Sequence, residues 1–110
     1  MSIDPIVKLS PAFKDYLWGG TKLRDIYHKP CDFDIIAESW ELSAHPDGTS
    51  IVAGGQCEGM LFTEYLEKIG LSALGTKYDA NKDFPLLIKL IDAKQNLSVQ
   101  VHPDDTYALR

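Results

Sequence analysis

The stretch F-P-L-L-I-K-L-I-D-A-K-Q-N-L-S-V-Q-V-H-P-D-D, residues 84–105, decides how the chain is read. Two apolar runs, 86–91 and 97–101, flank a polar break at 92–96. Short runs rich in Val, Ile and Leu, bounded by turn residues, read as strands. The break is short enough for a hairpin. Pro103 cannot donate to a ladder, so the second strand is expected to stop at or near His102. Strand side chains alternate between faces. Ser98, Gln100 and His102 therefore share one face, and Leu97, Val99 and Val101 the other.

Gln100 and His102 offer an amide oxygen and an imidazole nitrogen on one side of one strand. A divalent metal such as zinc can use that donor pair, although a zinc site needs further ligands. Lys89, inside Leu-Leu-Ile-Lys-Leu-Ile, is anomalous for a buried strand. Two readings stand side by side. The amine snorkels to solvent from an edge strand, or it points into a cavity and holds an anion such as a phosphate. An even number of connecting residues puts Lys89 on the Gln100 and His102 face, and an odd number puts it opposite.

At 110 residues the chain is one domain, spanning 1–110, with room for a modest core. Its apolar and charged fractions, 45% and 25%, are ordinary for a globular protein. The net charge of −5 argues against nucleic acid or an anionic membrane as partner. An anionic substrate would need a local cluster of cations. Cys31 and Cys57 lie in no C-x-x-C pair and at no zinc-finger spacing. A disulfide between them stays open. The absence of a signal-peptide pattern favours reduced thiols and a cytoplasmic location. No stretch approaches the length of a transmembrane helix. The last residues, D-D-T-Y-A-L-R, follow the most polar strand without a closing element, which fits the N-terminal part of a longer protein.

Working outward, residues 6–9 are a strand candidate before Ser10 and Pro11. Trp18 precedes Gly19 and Gly20, an amphipathic ring beside a flexible turn. It either plugs one end of the core or lines a sugar pocket. Thr21 is placed to cap a short helix over 22–27. Residues 35–45 contain an alternating strand, with Trp40, Leu42 and Ala44 on its apolar face and Ser39, Glu41, Ser43 and His45 on its polar one. The H-P-D-G segment, 45–48, reads as a turn, and His45 is a candidate ligand or acid–base group. Residues 50–53 are a further strand candidate. Leu61, Phe62, Tyr65, Leu66 and Ile69 make one helical stripe, predicting a helix over 61–69 closed by Gly70. A shorter helical turn is expected near 71–74, then a polar loop over 77–83. The pattern is a mainly β domain with a packed helix, α+β in class.

Four segments, W-G-G-T-K-L-R-D (18–25), E-S-W-E-L-S-A-H-P-D-G (38–48), F-P-L-L-I-K-L-I-D-A (84–93) and L-S-V-Q-V-H-P-D-D (97–105), resemble type I mannose-6-phosphate isomerases in order and spacing. The resemblance implies the N-terminal part of a cupin-like jelly roll in a zinc-dependent enzyme. Such an enzyme interconverts mannose 6-phosphate and fructose 6-phosphate. It implies Gln100 and His102 as the first two metal ligands, with a later Glu and His beyond this chain. Lys89 matches a lysine of the active-site region, and Ser98 a serine associated with substrate phosphate. Trp18 and His45 match positions near the pocket. No residue here is assigned as the catalytic base, and a fragment of this length is expected to be inactive alone. The competing reading is a non-catalytic cupin-like module that binds sugar phosphates.

Overall fold

The computed structural model describes residues 6–70, 84–99 and 104. Five short strands and two helices follow in chain order. They are β1 (Leu9–Ser10), β2 (Ala12–Lys14), α1 (Lys22–Asp25), β3 (Glu38–Leu42), β4 (Ile51–Val52), α2 (Phe62–Ile69) and β5 (Ile88–Ile91). The mainly β class with a packed helix is what the chain adopts. Pro11, which has no N–H, separates β1 from β2 and sends them to different sheets. β1 pairs antiparallel with β4, and β2, β3 and β5 form a three-stranded antiparallel sheet in that order.

The helix stripe performs as its spacing predicts. Phe62 and Tyr65 are buried and join Val52 and Cys57 in the core, with Leu66, Ile69 and Leu9 packed around them. Phe84 meets Phe62 edge to face at 5.2 Å, an arrangement favoured by the ring quadrupoles. At the helix start Glu64 accepts from the Leu61 N–H, the return half of a capping box. Gly70 closes it at φ 78°, a left-handed conformation that suits glycine. Cys31 and Cys57 are both free thiols. α1 is shorter than expected, and Thr21 sits at its N-cap without a side-chain hydrogen bond. Among the described residues no helix is long and apolar enough to cross a membrane.

Two sequence expectations are corrected. The first is the hairpin. β5 pairs with β3, and residues 96–99 lie outside any strand. The remainder of the second run, 100–102, lies outside the described residues, as do the helical turn near 71–74 and the loop at 77–83. The physical reason is the use made of the polar break. The Asp92 N–H donates to the Ala37 carbonyl, and the Gly20 N–H to the Asp92 carbonyl. Lys94 and Gln95 both donate their N–H groups to the Trp18 carbonyl, at 2.9 and 3.1 Å. These residues satisfy their backbone groups against the 18–20 loop instead of turning back on β5.

The second correction concerns the polar face of β3. Ser39 and Ser43, expected to face outward with Glu41 and His45, are fully buried. Ser43 and Ser50 exchange local bonds that make this tolerable. The Ser50 Oγ accepts from the Ser43 N–H at 2.9 Å, and the Ser43 Oγ from the His45 N–H at 3.1 Å. A hydroxyl that satisfies a nearby backbone donor is small and polar-neutral enough for a core. Only the Ser39 Oγ is buried without a partner among the described residues.

The loop that carries Trp18 is clamped from below by Asp92. Its Oδ2 accepts from the Lys22 N–H at 2.9 Å, and the residue is only 8% exposed. Glycine is required at the contact, because a Cβ on Gly20 would lie 2.5 Å from that oxygen. Gly19 is equally confined, since a Cβ there would meet Ala37 at 2.5 Å. Asp92→Ala strands a part-buried N–H and removes the clamp. It is expected to lower stability by about 1–3 kcal/mol, read as a fall in the denaturation midpoint with an unchanged slope.

Candidate functional site

In an antiparallel ladder, residues directly opposite share a face. Register places Ala12 opposite Trp40 and Trp40 opposite Lys89, and Lys14 opposite Glu38 and Glu38 opposite Ile91. One face of the three-stranded sheet therefore gathers Lys14, Glu38, Trp40 and Lys89. The register shifts between Trp40 and Leu42, so the ladder is irregular just beyond this cluster.

Trp40 is its centre, 7% exposed. Its indole Nε1–H donates to Glu38 Oε1 at 2.8 Å. The Lys89 Nζ donates to the same oxygen at 3.4 Å and lies 5.9 Å from the Trp40 ring centroid. From the other side the Lys14 Nζ stands 4.5 Å from that centroid and donates to the Asp47 carbonyl. Two ammonium groups thus flank one electron-rich ring. The H-P-D-G turn lies against the same ring. His45 meets Trp40 edge-on, 5.8 Å apart at 89°, and a Cβ on Gly48 would come within 2.8 Å of the indole.

His45 is oriented by its own turn. The Asp47 N–H donates to His45 Nδ1 at 3.0 Å. A neutral imidazole held this way carries its proton on Nε2. Thr49 Oγ1 donates to the His45 carbonyl at 2.8 Å and fixes the turn. Nearby, the Tyr16 hydroxyl is held above the ordinary phenol range, first by burial and then by the carboxylates of Glu38, Asp47 and Asp15.

The structure brings together two of the sequence candidates, Lys89 and His45, on the Trp40 face. Lys89 neither escapes wholly to solvent nor lacks a partner; its amine meets Glu38, and the side chain is 35% exposed. Trp18 is half-buried and stacks at a tilt on Tyr16, 5.6 Å between centroids. Ser98 is exposed and outside any strand. Gln100 and His102 lie outside the described residues. Among the described residues no group of three or more His, Cys, Asp or Glu could hold a metal ion. The residues described here do not by themselves make a metal site.

Sequence reasoning missed Glu38, Lys14 and the central place of Trp40. A signal was available in E-S-W, where period two puts Glu38 and Trp40 on the same strand face. Trp40 read as a core residue because Leu42 and Ala44 continue its row. Lys14 carried no such signal, since β2 is three residues long and its pairing is set only by the fold.

The mainly β scaffold thus gathers two lysines, a buried carboxylate and a buried tryptophan on one sheet face. The family model for phosphomannose isomerase type I, catalytic domain, matches residues 6–109, and the chain belongs to that family. It is 43% identical over 108 residues to YvyI of Bacillus subtilis (strain 168), covering 98% of this chain and 33% of that protein. Over 109 residues it is 39% identical to mannose-6-phosphate isomerase ManA of the same organism, again covering 98% of this chain and 33% of the relative. The crystal structure of the mannose 6-phosphate isomerase from Bacillus subtilis superposes with a TM-score of 0.81 at 42% identity, over 93% of this chain and 32% of that one. The chain spans about a third of the length of these relatives.

Trp40→Phe keeps a ring on the sheet face and removes the N–H that satisfies Glu38. The carboxylate then loses its shorter, buried bond, and stability is expected to fall by about 1–3 kcal/mol. Chemical denaturation of the variant against the parent checks this. An unchanged midpoint would mean that the indole bond contributes nothing.

Proposed function

We propose that this chain supplies the N-terminal part of an aldose–ketose isomerase that interconverts mannose 6-phosphate and fructose 6-phosphate. The observation that carries the reading is the family match over residues 6–109. The lysine-flanked Trp40 face is the local chemistry that agrees with it. Two cations near one ring are what an anionic sugar needs in a chain of net charge −5.

Isomerisation moves a proton between C1 and C2 of the sugar through an enediol, and negative charge develops on the carbonyl oxygen. The substrate phosphate must be fixed so that these carbons stay in place. In this reading Lys89 is the cation for the phosphate or for charge on a sugar oxygen, with Ser98 as a hydroxyl partner. Trp40, itself buried, anchors the carboxylate and the lysines around it. His45 offers an Nε2–H at the rim, and Trp18 a second ring. A divalent ion, zinc in this proposal, supplies Lewis-acid polarisation when bound. Gln100 and His102 would be this chain's ligands to it. The fold would be the opening part of a cupin-like jelly roll, working in the cytoplasm on a small hexose phosphate. The chain alone is proposed to lack turnover, because it spans about a third of its relatives' length.

Two assays test the reading. The chain is assayed alone and as a chimera in which it replaces the corresponding third of the B. subtilis ManA protein. The chimera is expected to isomerise mannose 6-phosphate with stoichiometric metal, and the chain alone to show no turnover. In the chimera, His102→Ala is expected to lose metal and activity together. Activity lost with metal fully retained would remove His102 from the ligand set. Lys89→Met keeps the aliphatic stem and deletes the charge. It is expected to reduce catalytic efficiency by about one to two powers of ten, the worth of one charge-assisted contact of roughly 1.5–3 kcal/mol, with the fold retained but the melting temperature lowered, because the buried Glu38 carboxylate loses one of its two donors. Unchanged efficiency in a folded variant would remove Lys89 from the site.

A further inference from the structure

Glu38 begins the central strand of the sheet and is 7% exposed. A carboxylate in that position loses most of its hydration, which is costly unless donors take the place of water. Two donors converge on one oxygen, Oε1. Trp40 Nε1 reaches it at 2.8 Å and Lys89 Nζ at 3.4 Å. They come from different strands, Trp40 from β3 itself and Lys89 from β5.

The two bonds are unequal in kind. The indole bond is short, buried and built from two residues of one strand, so it fixes the carboxylate. The ammonium bond is longer, crosses between strands and ends on a side chain that is 35% exposed. Charge-assisted bonds of this type usually measure about 2.7–2.9 Å. The lysine is therefore oriented by the carboxylate through a single contact while its side chain stays partly open to solvent. An ammonium has three N–H donors, so the remaining ones are available to a ligand. A free lysine here would lose rotamer freedom only when a ligand bound; a lysine already guided loses less.

We propose that Glu38 is a positioning residue. Its carboxylate, anchored by the Trp40 indole, holds the Lys89 ammonium in one orientation on the Trp40 face, so that an incoming sugar-phosphate oxygen meets a preset cation. Glu38 touches no reacting atom and acts through Lys89. The functional half of this inference rests on the role given to Lys89 above. The geometric half does not.

Both halves are tested. Lysines of the chain are dimethylated with carbon-13 and observed by NMR, with Lys89→Met assigning the Lys89 signal. In the parent, that signal is expected to carry a ring-current displacement from Trp40. In Glu38→Gln, which keeps a carbonyl acceptor for the indole, it is expected to move toward the position of an exposed lysine. The Lys14 signal, which depends on the ring and the Asp47 carbonyl, is expected to stay. A Lys89 signal unmoved by Glu38→Gln, or one already at the exposed position in the parent, overturns the positioning geometry. In the isomerase chimera, Glu38→Gln is expected to lower kcat/KM roughly tenfold with the melting temperature preserved. Combined with Lys89→Met it should cost no more than Lys89→Met alone, as expected for two residues acting as one unit. Multiplying losses would overturn the claim that Glu38 works through Lys89. A kinetically silent Lys89→Met would overturn the functional half alone, and the NMR arm would still decide the geometry.

Discussion

A carboxylate held in the interior needs partners. Glu38 occupies the first position of β3, the strand that pairs on both edges, and it is almost entirely withdrawn from water. Its charge is compatible with that position because an indole N–H and an ammonium reach the same oxygen. Much of the surrounding arrangement depends on this. The Trp40 ring is oriented by the bond it donates, and Lys89 is drawn in from β5. Lys14 and the 45–48 turn then pack against the ring so placed. The interaction is a weak argument for stability taken alone, since desolvation opposes it. It is a stronger argument for specificity, because few other side chains would satisfy the same oxygen from both strands.

A second constraint sits at the far end of β5. There the chain leaves the sheet, and its backbone groups pair with Trp18, Gly20 and Ala37. The Asp92 side chain adds the Lys22 N–H. Glycine at 19 and 20 permits this approach because no side chain intervenes. The result couples the Trp18 loop to β5, so the strand that carries Lys89 and the loop that carries Trp18 are positioned by one set of bonds. β5 itself remains exposed along its length: Ile88, Leu90 and Ile91 are 50%, 40% and 49% accessible. A strand that is apolar and exposed on the edge of a sheet is an uncommon end state for a stable domain. It accords with a chain spanning about a third of its relatives' length.

The amino-acid sequence alone determined the α2 helix, because a stripe at Phe62, Tyr65, Leu66 and Ile69 followed by glycine has one economical solution. It determined that β3, β4 and β5 are strands, and that the Lys89 amine must be directed somewhere polar, solvent or partner, without saying which. Four motifs in order pointed to the family. Tertiary structure decided the rest. That β5 pairs with β3, and that the 92–95 backbone bonds to Trp18, Gly20 and Ala37 and does not form a tight turn, depends on partners far earlier in the chain. The same holds for the buried serines, whose hydroxyls are acceptable inside only because neighbouring N–H groups meet them. Glu38 and Lys14 joined the site for a similar reason. Period two shows which residues of one strand share a face, but only the pairing register shows which faces of different strands coincide. That register is set by long-range contacts that local pattern does not encode.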